Sequence, residues 1–293
     1  MMQEVALSNE LFLHTYLYCP FVSTILQIIN FSVFPLALQV MMHHAITRIP
    51  CSNYRNGITT ANLGEPDYSL ALTQHRRYVE ALEQCGLTVT TLDPDLLYPD
   101  SCFVEDTAVV IDEVAIITNP GAASRREEVK SMQPVLQQFR KLEFITAPGT
   151  LEGGDVMQVD RHFYIGLTNR TNEAGALQLG EILNKYGYTF TLVPMTSALH
   201  LKTVVNYIGN QHLLASMEMA KNPLFNKFKI LEVADEDLYA ANCLAINDQL
   251  IMPAGFDRVM NTLQKTGYKP IELEVSEFEK MDGGLTCLSL RFS

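Results

Sequence analysis

An α/β protein assembled from repeated units is expected from three features of this sequence. Five β-rich segments recur along it, their starts about 40 to 55 residues apart, a period typical of propellers and stacked supersecondary units. Amphipathic stretches of helical spacing lie between strands, and Gly86, Gly187 and Gly267 stand where helices should end in a left-handed residue. A cluster of acids, an imidazole or a thiol follows each of the five segments.

The elements read off in order. Strands are expected at 87–92, 142–146, 188–193, 228–233 and 268–275, from their β-branched and aromatic content. A second strand family comes earlier in the units, at 114–118, 163–167 and 249–252, each running into an Asn-, Pro- or Gly-bearing turn. Tyr68, Leu72, His75, Val79 and Leu82 fall on one helical face, and Ala176, Leu179, Leu183 and Tyr186 on another. The unit is therefore strand, turn, helix, strand. Packed around a pseudo-symmetry axis, such units would bring the segments after the late strands to one central site.

Composition narrows the function. Of 293 residues, 47% are hydrophobic and 18% charged, the balance of a soluble globular chain. A net charge of -12 leaves no basic surface for phosphates, which argues against nucleic acid and anionic membranes as partners and suits a cationic small molecule. Six cysteines are scattered without a Cys-x-x-Cys pair, pointing to reduced thiols and a cytoplasmic location. No zinc spacing, phosphate loop or dinucleotide fingerprint occurs, so neither a metal nor a nucleotide cofactor is expected.

The chain divides at its start. Residues 1–41 form an apolar extension, and 11–40 carry no Asp, Glu, Lys or Arg. Such a run exceeds the roughly 20 residues a membrane helix needs. A start misplaced upstream of Met41 or Met42, a membrane anchor, and an appended helix covering an apolar patch are the three readings. Membrane contact is expected only if this stretch is genuine. Residues 42–293 read as one catalytic domain, and a homodimer is an assembly the sequence leaves open.

Three residues stand out for chemistry. Cys287 follows Asp282-Gly283-Gly284 and could be a nucleophile, given a base or a cation nearby, or a buried strand cysteine. His200 lies between Leu199 and Leu201, where a strand would turn it away from both; its imidazole titrates near working pH and could serve as acid and base, or be a hydrogen-bonded core histidine. Glu152 opens Glu152-Gly153-Gly154-Asp155 and could orient that histidine or hold a cation, or simply belong to a turn. Asp100, Glu105 and Asp106 bracket an apolar trio; buried acids need a cationic partner, for which a guanidinium offers planar paired donors, and Asp100 after Tyr98-Pro99 could equally be an ordinary turn residue. Arg125 and Arg170 sit in turns leading into helices, where a cation opposes the helix dipole; they could clamp a carboxylate or be solvated surface arginines.

The runs Pro99 to Asp106, Thr150 to Asp155, Leu199 to Thr203 and Asp282 to Leu290 together resemble the dimethylarginine dimethylaminohydrolases of the guanidino-group-modifying superfamily. Stretches 64–68, 124–126 and 240–243 are also similar, and the resemblance covers about 46–292. It implies a five-bladed, pseudo-symmetric α/β propeller that hydrolyses monomethyl- or asymmetric dimethylarginine to citrulline and an amine. By the same resemblance Cys287 attacks the guanidinium carbon, His200 serves the leaving amine and then water, and Glu152 supports His200. Glu105 and Asp106 would hold the guanidinium, Asp100 the α-ammonium, Arg125 and Arg170 the carboxylate, with backbone near Ile58 and Met281 completing the pocket. An arginine deiminase or citrulline hydrolase of the superfamily is the near rival. A non-catalytic binding protein on the same propeller is the distant one.

Overall fold

The computed structural model describes residues 41–196 and 198–293. All but the last residue of the 1–41 extension therefore lies outside the described residues. Among those described, no helix is long and apolar enough to cross a membrane.

Five three-stranded sheets follow one another along the chain. Strand β1 (His44–Arg48) leads through helix α1 (Tyr68–Gln84) to β2 (Thr88–Leu92). The second sheet is β3 (Ala108–Val110), β4 (Val114–Ile117) and β5 (Lys141–Phe144), with α2 (Val129–Leu136) between β4 and β5. The third is β6 (Val156–Val159), β7 (His162–Leu167), α3 (Glu173–Lys185) and β8 (Thr189–Pro194). The fourth is β9 (Val205–Tyr207), β10 (His212–Ser216), α4 (Met217–Ala220) and β11 (Lys229–Val233). The fifth is β12 (Leu244–Ile246), β13 (Gln249–Pro253), α5 (Asp257–Lys265) and β14 (Ile271–Leu273); α6 (Ser276–Glu279) then leads toward β15 (Leu290–Phe292). β15 pairs antiparallel with β1, so the first sheet is completed by the last strand.

Every sheet repeats one pattern. Its inner pair is antiparallel, as in β6–β7, and its outer pair parallel, as in β7–β8. A parallel neighbour needs a crossover, which the helices supply. Residues of all five inner strands line a single cavity of about 160 Å³, which places those strands around a common axis. The repeat expected from sequence is thus an α/β propeller of five sheets.

The unit differs from the expected one by its inner strand. β3, β9, β12 and β15 have only three residues each, too few for alternation to show, and most of those residues are buried. The middle strands β1 and β10 also went unmarked in sequence. The late strands sit close to expectation, except that β14 spans only Ile271–Leu273 of 268–275: Pro270 has no N–H to pair, and Tyr268 bonds back to Leu263 to close α5. Gly86, Gly187 and Gly267 take φ of +90°, +77° and +95°, as their helix-ending place requires.

Helix α1 shows why its buried face was displaced from the apolar stripe. Its buried residues are Ala71, Gln74, His75, Tyr78, Ala81 and Leu82; Leu72 and Val79 are only half-buried. Gln74 and Tyr78 can go inside because they are satisfied there. Tyr78 donates to the Leu285 carbonyl at 2.8 Å, and Gln74 bonds Ser276 and the Glu277 amide. On α3 the expected Ala176, Leu179 and Leu183 are buried, while Tyr186 is the C-cap.

His75 makes stability depend on pH. Burial pushes its imidazole down to about 4, and its Nε2 has no hydrogen-bond partner among the described residues. The folded state holds it neutral while the unfolded chain, near 6.5, takes up a proton, so the stability present above pH 6.5 drains away as pH falls toward 4. The loss attributable to this residue is about 3 kcal/mol. Urea titrations at pH 7 and pH 4.5 should show a smaller acid penalty in His75→Leu than in the natural chain; equal penalties would refute the assignment.

Candidate active site

Each inner strand is entered through a tight 3-10 turn: Val104–Thr107, Gly153–Asp155, Leu201–Thr203, Asp235–Ala241 and Thr286–Leu288. Hydrogen bonds close these turns into a ring. The Gly154 amide donates to Asp106 Oδ1 (2.8 Å), and the Leu201 amide to Asp155 Oδ1 (2.9 Å). Asn242, just past the fourth turn, donates to the Lys202 carbonyl (2.9 Å) and accepts from the Thr286 amide (2.9 Å). Thr286 Oγ1 donates to Glu105 Oε2 (2.8 Å), back on the first turn. Residues nearly two hundred positions apart in sequence meet in this ring.

Glycine is required where two turns touch. A Cβ on Gly153 would lie 1.9 Å from the Glu105 carbonyl oxygen, and one on Gly154 would lie 2.7 Å from the His200 ring. The Gly-Gly pair therefore lets Glu152, Asp106 and His200 close up on one another.

His200 is not on a strand, as its leucine neighbours suggested. It is the extended residue before the 201–203 turn, with φ -140° and ψ 160°, and is buried. Its Nε2 lies 2.8 Å from Glu152 Oε2 and 4.0 Å from Asp106 Oδ1. Burial works against the imidazolium, but Asp106, Asp155 and Glu152 outweigh it and lift the imidazole to about 9. Glu152 is fully buried; its other oxygen accepts from the Ala122 amide (2.9 Å) and faces Arg170 Nη1 at 3.4 Å. Burial would raise Glu152, yet its bond to His200 holds it below the usual value. Asp106, against the same burial, is held down to about 2 by His200 and Arg125. At neutral pH this is an imidazolium between two carboxylates.

Cys287 is the middle residue of the 286–288 turn, 7% exposed, and the Gly284 amide points at its sulfur from 3.4 Å. Burial, then the Glu105 and Asp106 charges, push its thiol up to about 12 against the pull of Gly284 and Lys202. The resting sulfur is protonated at neutral pH. A cation placed beside it would reverse the electrostatic part of that penalty.

The other expected residues fall into two groups. Asp100 is buried and takes the Ile58 amide on both oxygens, at 3.0 and 3.2 Å. Met281 packs close by, against the Gly57 position that Asp100 also approaches. Burial raises Asp100 above the ordinary carboxylate value, so an incoming ammonium would be a welcome partner. Arg170 keeps 18% of its side chain exposed. Arg125, by contrast, is spent largely inside the protein: it donates to Asp106 (2.5 Å), Glu128 (2.5 Å) and the Phe103 carbonyl (2.9 Å). Glu105 is turned away from the Asp106–Glu152 edge where it was expected, toward Lys202 (2.6 Å), Arg291 (3.0 Å) and Thr286.

Sequence reading assigned no role to Lys202, Arg291, Asn242, Asp155 or Glu128. Two signals were available: Lys202 inside an apolar stretch, and Glu128 three residues after Arg125. Asp106, Glu152 and His200 also present three donor atoms within 4.8 Å of one another, the spacing of a metal group. Here Glu152 Oε2 is hydrogen-bonded to His200 Nε2 and Asp106 Oδ1 accepts from the Gly154 amide, while the other oxygens of the two acids meet Arg125 and the Ala122 amide, an arrangement suited to holding a proton.

The fold is shared beyond close relatives. The N-terminal domain of ArgZ, an arginine dihydrolase from cyanobacteria, superimposes with a TM-score of 0.74 at 18% identity, over 85% of this chain and 97% of that one, a likeness of fold alone. Sequence carries the assignment further. The family model for eukaryotic N,N dimethylarginine dimethylhydrolase matches residues 60–290. The dimethylarginine dimethylaminohydrolase of Pseudomonas aeruginosa is 45% identical over 254 residues, 86% of this chain and 100% of its own length. That of Streptomyces coelicolor is 35% identical over 84% of this chain and 96% of its own. The chain belongs to the dimethylarginine dimethylaminohydrolase family. The Pseudomonas enzyme, solved as a Cys-to-Ser variant with citrulline, matches with a TM-score of 0.84 over 86% of this chain and all of its own. A dimethylarginine dimethylaminohydrolase captured as an adduct with S-methyl-L-thiocitrulline, 45% identical, gives the same score over the same shares of both chains.

Proposed function

We propose that this chain hydrolyses monomethyl- and asymmetric dimethylarginine to citrulline and the methylated amine, with Cys287 as nucleophile. The observation that carries the reading is the His200 imidazolium held between Glu152 and Asp106 in the same ring of turns as a buried, protonated thiol. The citrulline complex of the Pseudomonas relative supports it.

The substrate guanidinium sits against Asp106 and Glu152, and its charge weakens the hold of Cys287 on its proton, which passes to solvent water and leaves the thiolate. The sulfur adds to the guanidinium carbon. His200 gives its proton to the nitrogen that bears the methyl groups, the C–N bond breaks, and a thiouronium remains on the sulfur. Neutral His200 then takes a proton from water, hydroxide adds to the same carbon, and the C–S bond breaks as the hydroxyl proton passes to the departing sulfur, releasing citrulline and restoring the thiol. Asp100 takes the α-ammonium. Arg170, helped by the Nη1 hydrogen of Arg125 that has no partner among the described residues, takes the carboxylate. The five described cysteines, all free, fit a reducing cytoplasm.

The test is direct. Purified protein is incubated with monomethylarginine, asymmetric dimethylarginine, arginine and citrulline, and citrulline, amine and ammonia are assayed. Citrulline is expected from the first two. Turnover of arginine alone would move the chain to the deiminase reading, and release of ammonia from citrulline to the citrulline hydrolase reading.

A further inference from the structure

The ring holds a second charged cluster that the reaction above leaves unused. Lys202 Nζ and Arg291 Nη2 converge on one oxygen of Glu105, at 2.6 and 3.0 Å, while the other oxygen takes Thr286 Oγ1. Arg291 Nη1 also donates to the Thr286 carbonyl (3.0 Å), and Asn242 takes the Thr286 amide. Every polar group of Thr286 is thus tied down, and the next residue is Cys287. Glu105, Lys202, Thr286 and Arg291 line the axial cavity of about 160 Å³; Asp106, Glu152, His200 and Cys287 do not.

We propose that Lys202, Glu105 and Arg291 are positioning residues for the nucleophile, a buried ion cluster that fixes the 286–288 turn and sets the local charge against which the sulfur ionises. The proposal rests on Cys287 being the nucleophile. Stability alone does not account for the cluster, because buried ion groups are commonly matched or bettered by apolar residues of similar volume. The cluster brings charges of both signs to bear on the thiol: Glu105 raises it and Lys202 lowers it. The charged and titratable groups around the sulfur are Glu105 and Asp106 of the first turn, Lys202 of the third, Tyr239 of the fourth, and Tyr78 of α1, with Arg291 behind Glu105. Asp106 is itself neutralised by His200 and Arg125. Lys202 and Glu105 are therefore the pair whose removal shifts the balance in opposite directions.

The experiment measures alkylation of Cys287 by iodoacetamide, an uncharged reagent, in the substrate-free protein at pH 8. The adduct is located by mass spectrometry and the rate seen in Cys287→Ser is subtracted. Lys202→Met should react about three- to tenfold more slowly than the natural chain, and Glu105→Gln faster by a similar factor. The double variant should fall between the two singles, and Lys202→Arg should keep the natural rate. The acid limb of kcat/KM should move in the same directions. Should Lys202→Met fail to fold, the double variant must still react more slowly than Glu105→Gln. Rates that change in the same direction for both singles, or not at all, overturn the proposal. Failure of the nucleophile reading shows separately, as alkylated Cys287 with full activity in the natural chain.

Discussion

Cys287→Ser is expected to lower turnover of asymmetric dimethylarginine at least about 10,000-fold while leaving the protein folded and able to bind it. The substitution keeps the volume of the 286–288 turn, and the acids that receive the cation are untouched. What changes is ionisation. The thiol stands at about 12 in the free protein, within reach of a neighbouring guanidinium charge, whereas a serine hydroxyl lies several units higher again. Nor can His200 serve as the base for it at neutral pH, since it already carries a proton. Calorimetric titration with asymmetric dimethylarginine and a citrulline assay on the same sample separate binding from turnover. Activity within tenfold of the natural chain would remove Cys287 from the mechanism.

The second large effect concerns the proton. His200→Ala should reduce kcat about 1,000-fold with either methylated arginine, because an alkylamine leaves poorly without one. A substrate analogue that expels a thiol instead needs no such acid, so its first step should survive and its second should not. The variant should then accumulate a covalent adduct on Cys287, visible as a mass increase. The adduct with S-methyl-L-thiocitrulline solved for a related enzyme is a precedent for such a species. In the natural chain the same group predicts a fall in kcat as pH rises through about 9, where the imidazolium is lost. The sign follows from a raised histidine: the acid is present below that value and absent above it. A kcat that is flat to pH 10.5, or a His200→Ala variant that turns over normally, would place the proton elsewhere.

The repeat was legible because it is written in long-lived signals: strand composition, helical stripes, and three glycines forced to positive φ. The inner strands were not, since runs of three or four mostly buried residues carry no readable period, and it is those strands that surround the axis. Of the residues singled out in sequence, Cys287, His200 and Glu152 were marked by their settings and by the family resemblance, and the structure brings Glu152 and His200 into direct contact. The partners of charged groups were not readable. Nothing local in sequence says that Glu105 faces Lys202 and Arg291 while its neighbour Asp106 faces His200 and Arg125. Adjacent residues in a tight turn point in different directions, and only the tertiary ring decides which cation each one meets.

The pairing of β15 with β1 joins residues about 250 positions apart, and Cys287 lies three residues before that last strand. The other four sheets are each built from consecutive strands, and none of them needs the segment that carries the sulfur. The first sheet alone needs strands this far apart in sequence to meet, and such long-range pairing is slow to form. Recovery of activity after denaturation should accordingly report the closing of the circle, and not the formation of any single sheet.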